Sequence, residues 1–439
     1  MSAQGRTNTP RYIPSRLDDI EDVERYCPGG FHPISIGDTF SQGRYRIVHK
    51  LGVGGSSAVW LARDQREGPG TLVALKAMAA ADSESREMPE LVIPEALQKT
   101  LTASDELDGF QTVLDHFAVE GPNGTHRFLV IPFVGPSVRA VSESPGRTAG
   151  SRRLRADLAR SVARQVATAL HSMHSAGLVQ GDLTASNILF RLKDHVSRWS
   201  DSELYPHVGA PETEEVRTCT GEPPGPHAPT SLVAPIPAPA LAYAAFLQER
   251  VIVADFGQSY ALASPPEDYE PGTALHYLAP ETRFEGLAGA AADVWALRCA
   301  LFEIRAGAPL FEPFLGSDTD VLRQTVAMLG RPPDPWWAAF TERMLWFEED
   351  GQPRSVEVQK RDGILLLTTK SSLETMLREI GTQDQAPLVD EGSLFEKPGE
   401  TLGEDEVDLL GDLLGKMLKY RPEERASMRE VIKHPWFTL

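Results

Sequence analysis

Cysteine is scarce. The chain has 439 residues and three cysteines, Cys27, Cys219 and Cys299, none at C-x-x-C spacing. No disulfide framework and no cysteine zinc site is implied, and a reducing compartment fits. Positive charge is also short. Lys and Arg total 43 against 62 Asp and Glu, a formal charge of −19. Non-specific nucleic-acid binding needs the opposite surface, so no direct nucleic-acid contact is expected. A basic protein partner, or simply an acidic surface, fits instead. Long apolar runs are absent: no stretch reaches the roughly 18 residues of a membrane span. The opening MSAQGRTNTPRY lacks the apolar region of a signal peptide. A cytoplasmic or nuclear monomer without membrane contact is the expectation. What is ample is hydrophobic content, 41%, with length for one large two-lobed domain or two to three small ones.

Residues 1–42 read as a tail. Asp18, Asp19, Glu21, Asp22 and Glu24 make it acidic, and Cys27-Pro28-Gly29-Gly30 breaks regular structure. It either lies along the first lobe or is disordered. A strand pattern begins at Tyr45 and runs through Leu51 into Gly52-Val53-Gly54-Gly55-Ser56-Ser57-Ala58-Val59. Gly52 and Gly54 permit a tight turn and close approach to phosphate oxygens. Val59 stands where the G-x-G-x-x-G-x-V loop has its valine, with Ser57 in place of the third glycine. Alone this is weak, because a Gly-rich hairpin looks the same. Val73-Ala74-Leu75-Lys76 then matches V-A-I-K, whose lysine pairs with nucleotide phosphates.

Such a lysine needs a carboxylate, and Glu84, Glu87, Glu90 and Glu95 are available. Glu90 is preferred, since Ile93 and Leu97 then fall on a buried helical stripe. Pro94 opposes this by threatening to kink or break the helix, whereas Pro89 suits a first helical position. Two strands follow, from Thr112 and from Arg127, joined by the turn Gly121-Pro122-Asn123-Gly124. Pro132 to Gly135 reads as a hinge and 136–151 as a polar loop. Residues 152–175 predict a helix with Leu154, Leu158, Val162, Val166 and Leu170 on one side, closed by Gly177.

Next comes Val179-Gln180-Gly181-Asp182-Leu183-Thr184-Ala185-Ser186-Asn187-Ile188-Leu189-Phe190. An Asp, an Asn five residues on and then an apolar strand make a phosphotransfer loop: the Asp accepts a hydroxyl proton and the Asn holds a metal ion. Chance produces D-x-x-x-x-N too, as an Asp in a turn before an Asn opening a strand. Chain order argues otherwise. After an apparent insertion at 194–248, whose Pro-rich part from Gly221 to Pro239 should be mobile, an apolar strand ends in Asp255-Phe256-Gly257. That trio delivers a carboxylate to Mg²⁺. Gly272 to Glu281 closes with Ala279-Pro280-Glu281, and Asp293-Val294-Trp295 opens a buried helix. Glu281 needs a buried cation, for which Arg425 is the candidate. Residues 340–405 read as a second, acidic and irregular insertion. Helices from Asp405 and a cap at His434-Pro435-Trp436-Phe437 end the chain.

Together these motifs resemble those of eukaryotic protein kinases, and most closely the SR-protein kinases and their fungal-type relatives, over residues 20–439. Leu51 to Asp64 is similar to that family's Gly-rich loop, which also has Ser at the third glycine position. Gly121-Pro122-Asn123-Gly124-Thr125-His126 resembles its G-x-N-G-x-H turn. Its lysine-pairing helix, carried over from Leu114-Asp115, lands on Glu90, and the family too has a spacer before the D-F-G strand. The resemblance implies an α+β, bilobal protein kinase fold over 43–439, with a small β-rich N-lobe (43–134) and a large helical C-lobe (135–439) carrying both insertions. It implies ATP and Mg²⁺, and serine/threonine phosphorylation, typically of basic Arg/Ser-rich proteins.

In this reading Asp182 is the base. Lys76 holds the α/β-phosphates, oriented by Glu90, and Asn187 and Asp255 bind Mg²⁺. Leu51, Gly52, Val53, Gly54, Gly55, Ser56, Ser57 and Val59 cover the nucleotide, with Ala74, Ile131, Phe133 and Val134 lining the adenine pocket. The usual H-R-D is here Gln180-Gly181-Asp182, so the arginine that senses activation-loop phosphate is missing. Gln180 replaces a histidine that braces the loop. Thr184 replaces a lysine that touches the γ-phosphate, which should slow transfer. Arg298 stands where glycine is usual. Two other readings compete. One is a weak or inactive kinase fold that binds partners, favoured by Thr184, Gln180 and Pro94 but not by joint retention of Lys76, Asp182, Asn187 and Asp255. The other is a small-molecule kinase of the antibiotic-phosphotransferase type, which lacks A-P-E and the helix at Asp293.

Overall fold

The computed structural model describes residues 10–66, 70–83, 88–101, 104–143, 152–267, 269–385 and 392–439. The chain divides into two compact units. The first holds residues up to Leu91, Gln111–Gly135 and Leu192–Ala242; the second holds Val92–Phe110, Pro136–Arg191 and Tyr243–Leu439.

The first unit is built on six antiparallel strands: β1 (Thr39–Phe40), β2 (Tyr45–Val53), β3 (Ser57–Asp64), β4 (Thr71–Met78), β5 (Asp115–Gly121) and β6 (Gly124–Pro132). Their order is β1-β2-β3-β4-β6-β5. Alternate residues face one core, as the two-residue period of a strand requires: Tyr45 and Ile47, Trp60 and Ala62, Val73 and Leu75, Phe128 and Val130. The other face carries Ala74, Leu129 and Ile131 with Leu51 and Val59. The strand expected from Thr112 begins only at Asp115.

Residues 10–42 are an ordered part of this unit. Tyr12, Val23, Tyr26 and Phe31 are buried against Val216, Ala228 and Leu232. Those partners come from the spacer, whose strands β9 (Thr213–Glu215) and β10 (Ser231–Val233) pair antiparallel. The mobility expected for Gly221–Pro239 is therefore not found. The reason lies in which residues donate. Ala234 N–H bonds Glu212 O at 2.9 Å and Ile236 N–H bonds Lys50 O at 2.9 Å. The donor-less prolines fall at 235 and 237, where no donor is needed. Leu232, Val233 and Ile236 are buried.

In the second unit the helix Ala156–Ser175 buries Leu158, Val162, Val166 and Leu170, and Gly177 follows in the left-handed region, φ +73°. Four short strands frame the loop beyond it: β7 (Leu178–Val179), β8 (Ile188–Leu192), β11 (Leu247–Val253) and β12 (Tyr260–Ala261), paired β11 with β8 and β12 with β7. The segment expected as polar loop contains the helix Val138–Ser142, capped by the Ser137 side chain; residues 144–151 lie outside the described residues. Within 340–405, Trp346 and Phe347 join Trp337 and Phe340 in a small aromatic core. Buried Arg153 binds Asp384 at 2.7 Å and Glu400 O at 2.6 Å, so this stretch has fixed anchors despite its acidic composition. Arg298, on the helix Ala290–Ala306, is fully buried. Its guanidinium lies 4.5 Å from the Trp295 ring and 5.0 Å from Phe311, so aromatic faces accommodate the cation that the missing glycine would not supply. Burial lowers its pKa. Arg425 reaches Glu281 through two bonds of 2.6 Å, both side chains nearly solvent-free.

Candidate active site

The Gly-rich turn joins β2 to β3. Gly52 pairs with Val59 and Val53 with Ala58, and Gly54 N–H closes the tip on Ser57 O at 2.8 Å. A Cβ on Gly52 or Gly55 would meet nothing within 4 Å, so packing does not demand these glycines and the space beside them is open. Gly54 and Gly55 are exposed, Leu51, Val53 and Ser56 half-buried, and Ser57 buried.

Lys76 lies on β4 opposite Val59 of β3 and Leu129 of β6. It shares a face with Ala74, and both are buried. Ile131 and Phe133 are buried and Val134 half-buried. The lysine Nζ is 3.4 Å from Glu90 Oε1. Glu90 sits in the first turn of the helix Pro89–Thr100, which runs on through Pro94. Pro94 therefore does not end the helix. It only withholds the N–H that would bond the Glu90 carbonyl one turn back. Ile93 and Leu97 are buried. Of the other candidates, Glu95 pairs with Lys99 at 3.5 Å on the surface, and Glu84 and Glu87 lie outside the described residues.

In the second unit the loop 180–187 is held by a dense set of bonds. Gln180 uses both ends of its amide: Nε2 donates to Asp255 O at 3.1 Å, and Oε1 accepts from Asp182 N–H at 2.6 Å. A neutral amide thus braces the loop where a histidine is usual. Asn187 Nδ2 donates to Asp182 O at 2.8 Å and to Asp182 Oδ2 at 2.9 Å. Asp182 Oδ1 is buried with no hydrogen-bond partner. Burial is the main cause that pushes the Asp182 carboxyl up to about 6; the nearby Asp255 charge adds to it, while Asn187 and the Thr273 hydroxyl oppose it. A carboxylate so placed can take a proton near neutral pH. Thr184 is buried, and its carbonyl accepts Asn187 N–H at 3.0 Å.

Asn187 and Asp255 come together through strand pairing, since Ala254 N–H bonds Asn187 O at 2.9 Å. Asp255 is exposed and left-handed, φ +57°, a conformation rare outside glycine that Asp tolerates and that marks functional sites. Among the described residues no group of three or more His, Cys, Asp or Glu could hold a metal. The donor set still suits Mg²⁺, which protein usually holds by one or two carboxylates while phosphates and water complete the shell. Asn187 has spent its N–H groups on Asp182, so its Oδ1 is the atom left for a cation.

The sequence motifs assigned no role to four supports of this loop. Asp293 accepts Gln180 N–H at 2.8 Å, Gly181 N–H at 2.9 Å and bonds His174 Nε2 at 2.9 Å. Tyr277 Oη accepts Ala185 N–H at 3.0 Å and donates to Glu303. Ser259 Oγ donates to Gln180 O at 2.6 Å, and Thr273 Oγ1 to Gly181 O at 2.7 Å. Only Asp293 carried a signal, as the first residue of an Asp-Val-Trp helix opening.

A protein kinase domain model matches residues 246–437. The chain is 27% identical to the serine/threonine-protein kinase SRPK of Physarum polycephalum, over 96% of this chain and 92% of that one. It is 31% identical to protein kinase dsk1 of Schizosaccharomyces pombe, over 44% of this chain and 33% of the relative. It is 30% identical to human SRSF protein kinase 3, over 44% and 34%. The matched region thus spans about a third of the length of the latter two relatives. Among the described residues no helix is long and apolar enough to cross a membrane.

Proposed function

We propose that this chain, an SR-protein-kinase-like serine/threonine protein kinase, transfers the γ-phosphate of ATP to Ser and Thr hydroxyls with Asp182 as base. We read residues 43–439 as a bilobal kinase domain, its small lobe through 134 and its large lobe from 135, with Leu192–Ala242 packed as part of the first unit. The single observation that carries the mechanism is the Asp182 carboxyl. The residue is half-buried, its Oδ2 is fixed by Asn187, its Oδ1 is buried without a hydrogen-bond partner, and its pKa is raised to about 6.

Asp182 takes the proton of the substrate hydroxyl as that oxygen bonds the γ-phosphorus and the bond to the β-phosphate oxygen breaks, releasing ADP. Lys76, aimed by Glu90, pairs with the nucleotide phosphates. Gly52 to Ser57 cover them with backbone N–H groups. Ala74, Ile131, Phe133 and Val134 offer the apolar wall that an adenine needs. Asn187 Oδ1 and the Asp255 carboxylate would hold Mg²⁺, which would supply neutralisation of phosphate charge. Gln180 and Asp293 keep the loop in place without a formal cation. Thr184 leaves the γ-phosphate one positive charge short, which predicts a modest turnover.

One relative is named an SRSF protein kinase, which supports a protein substrate here, and the charge of −19 suits basic Arg/Ser-rich segments. Turnover of Mg²⁺-ATP on Arg/Ser peptides beside a generic basic protein, with Asp255→Ala as control, tests this. Asp182→Asn should lower kcat by about 10²–10⁴ while ATP affinity barely moves. Equal activity would remove Asp182 from its role.

A further inference from the structure

Gly181 stands where the phosphate-sensing arginine of many kinases would be, and the structure shows what occupies its surroundings instead. Its φ is +82°, a conformation glycine adopts freely and other residues resist. A Cβ added there would lie 2.3 Å from Gln258 O and 3.0 Å from Tyr269 Oη. No side chain fits at this position without displacing the backbone of the segment after Asp255. Such a glycine is also a hinge, and it directly precedes Asp182.

That hinge is immobilised from both sides of one peptide plane. The Asp182 N–H is held by Gln180 Oε1 at 2.6 Å. The Gly181 carbonyl accepts two hydroxyls from the segment 269–273: Thr273 Oγ1 at 2.7 Å and Tyr269 Oη at 3.3 Å. Tyr269 is itself steadied by an edge-on contact with Tyr260, centroids 5.3 Å apart, and Tyr260 belongs to β12, paired with β7 just before the loop. Gln258 closes the circuit, its Oε1 accepting Gly272 N–H at 3.4 Å.

We propose that Tyr269 is a positioning residue for phosphate transfer: with Thr273 it pins the Gly181–Asp182 peptide plane and so aims the Asp182 carboxylate, a task that elsewhere falls to a phosphate and an arginine. This rests on the reading of Asp182 as base. The latch is neutral and built from hydroxyls, so it needs no prior phosphorylation. Each hydroxyl carries part of the restraint on the one carbonyl, and losing both leaves it without a side-chain donor.

The experiment is a double-mutant cycle on the full chain with Tyr269→Phe and Thr273→Val, reading kcat, KM for ATP and ATP affinity. Tyr269→Phe keeps the ring and its contact with Tyr260 and deletes only the donor. It should lower kcat about threefold to tenfold, the worth of one neutral hydrogen bond, with KM for ATP and ATP affinity within twofold. The double variant should lose more than the product of the single losses, because the two donors share one acceptor. A merely structural role would give independent, multiplicative losses or raise KM in step, and either result overturns the proposal. So does an unchanged kcat in Tyr269→Phe. Asp182→Asn is run alongside. If it keeps full activity, the base assignment fails. If it is inactive while the cycle shows no coupling, only the role of Tyr269 fails. Gly181→Arg supplies an independent check: it should abolish turnover, whereas improved turnover would show that the position awaits an arginine.

Discussion

One sheet of this protein carries two lysine–glutamate pairs, and they differ in burial and in what surrounds them. Lys50, on β2, meets Glu21 in close contact with side chains 0% and 1% exposed. Tyr26 Oη donates to the same carboxylate, and the Trp60 ring lies 5.5 Å from the ammonium. Lys76, on β4, meets Glu90 at 3.4 Å with both side chains 11% exposed. The first pair is solvent-free and fastened to a tail that packs on the sheet's unit. The second is slightly exposed, with its glutamate in the first turn of a helix that runs through Pro94. A buried pair that is fully paired fixes structure. A looser one keeps its lysine within reach of a third charged group. Residue type is the same in both, so burial is what separates the Lys50 anchor from the lysine proposed to meet phosphates.

Removing one partner of the dry pair should give the largest effect on folding. Lys50→Met leaves Glu21 buried without a cation and should cost about 3–5 kcal/mol, read as a fall in Tm, with turnover per folded molecule unchanged. Adding Glu21→Leu should recover most of that loss, because the stranded charge goes too. A Lys50→Met protein of normal Tm but low kcat would reverse the comparison. The loose pair should do the opposite. Lys76→Met should cut kcat/KM about 10²–10³-fold while Tm stays near that of the parent. A large drop in Tm with intact turnover would make Lys76 another anchor.

The two pairs also show what the sequence can disclose. Lys76 was legible because it ends V-A-L-K after a Gly-rich turn, a spacing set by strand geometry and phosphate chemistry. Asp182, Asn187 and Asp255 were legible for the same reason. Glu90 was legible through the helical stripe of Ile93 and Leu97 and through the family resemblance counted back from Leu114-Asp115. Lys50 and Glu21 gave no local signal: they are 29 residues apart, and only tertiary packing joins them. The spacer misled because Pro and Gly composition suggests mobility, whereas its pairing draws on donors such as Val216, Ala234 and Ile236 and leaves the prolines outside them. Helix Val138–Ser142 was missed in a polar stretch because its cap, Ser137, is a single residue. Gln180 read as a loss of the bracing histidine, yet an amide carries both a donor and an acceptor and makes both bonds. The arginine at 298 had no local rationale until Trp295 and Phe311 were seen on either side.

A third test separates burial without charge from burial with it. His32 packs edge-on against His126, centroids 4.7 Å apart. Burial, with His126 adding to it, pushes its pKa down to about 4, and burial lowers His126 as well. A folded-state pKa below the unfolded value of about 6.5 means the neutral ring is favoured on folding. That stability is complete above pH 6.5 and is lost as pH falls towards 4. The loss should be about 2–3 kcal/mol from His32, seen as a falling Tm. His32→Phe should flatten that slope, and an unchanged slope would place the acid sensitivity elsewhere.

The smallest expected effect bears on the loose pair itself. Pro94 lies inside the helix Pro89–Thr100 and cannot donate to the Glu90 carbonyl. Pro94→Ala restores that donor and removes the ring's clash with the preceding turn. Thermal unfolding should rise by about 1 kcal/mol. If the 3.4 Å separation of Lys76 and Glu90 follows from side-chain lengths and hydration alone, kcat and KM for ATP should stay within twofold. If instead the missing bond lets the first helical turn tilt and sets how far Glu90 stands from Lys76, a regular turn would draw the carboxylate onto the lysine and make the second pair resemble the first. Turnover would then fall as stability rises, and the proline would count as part of the machinery that keeps Lys76 available.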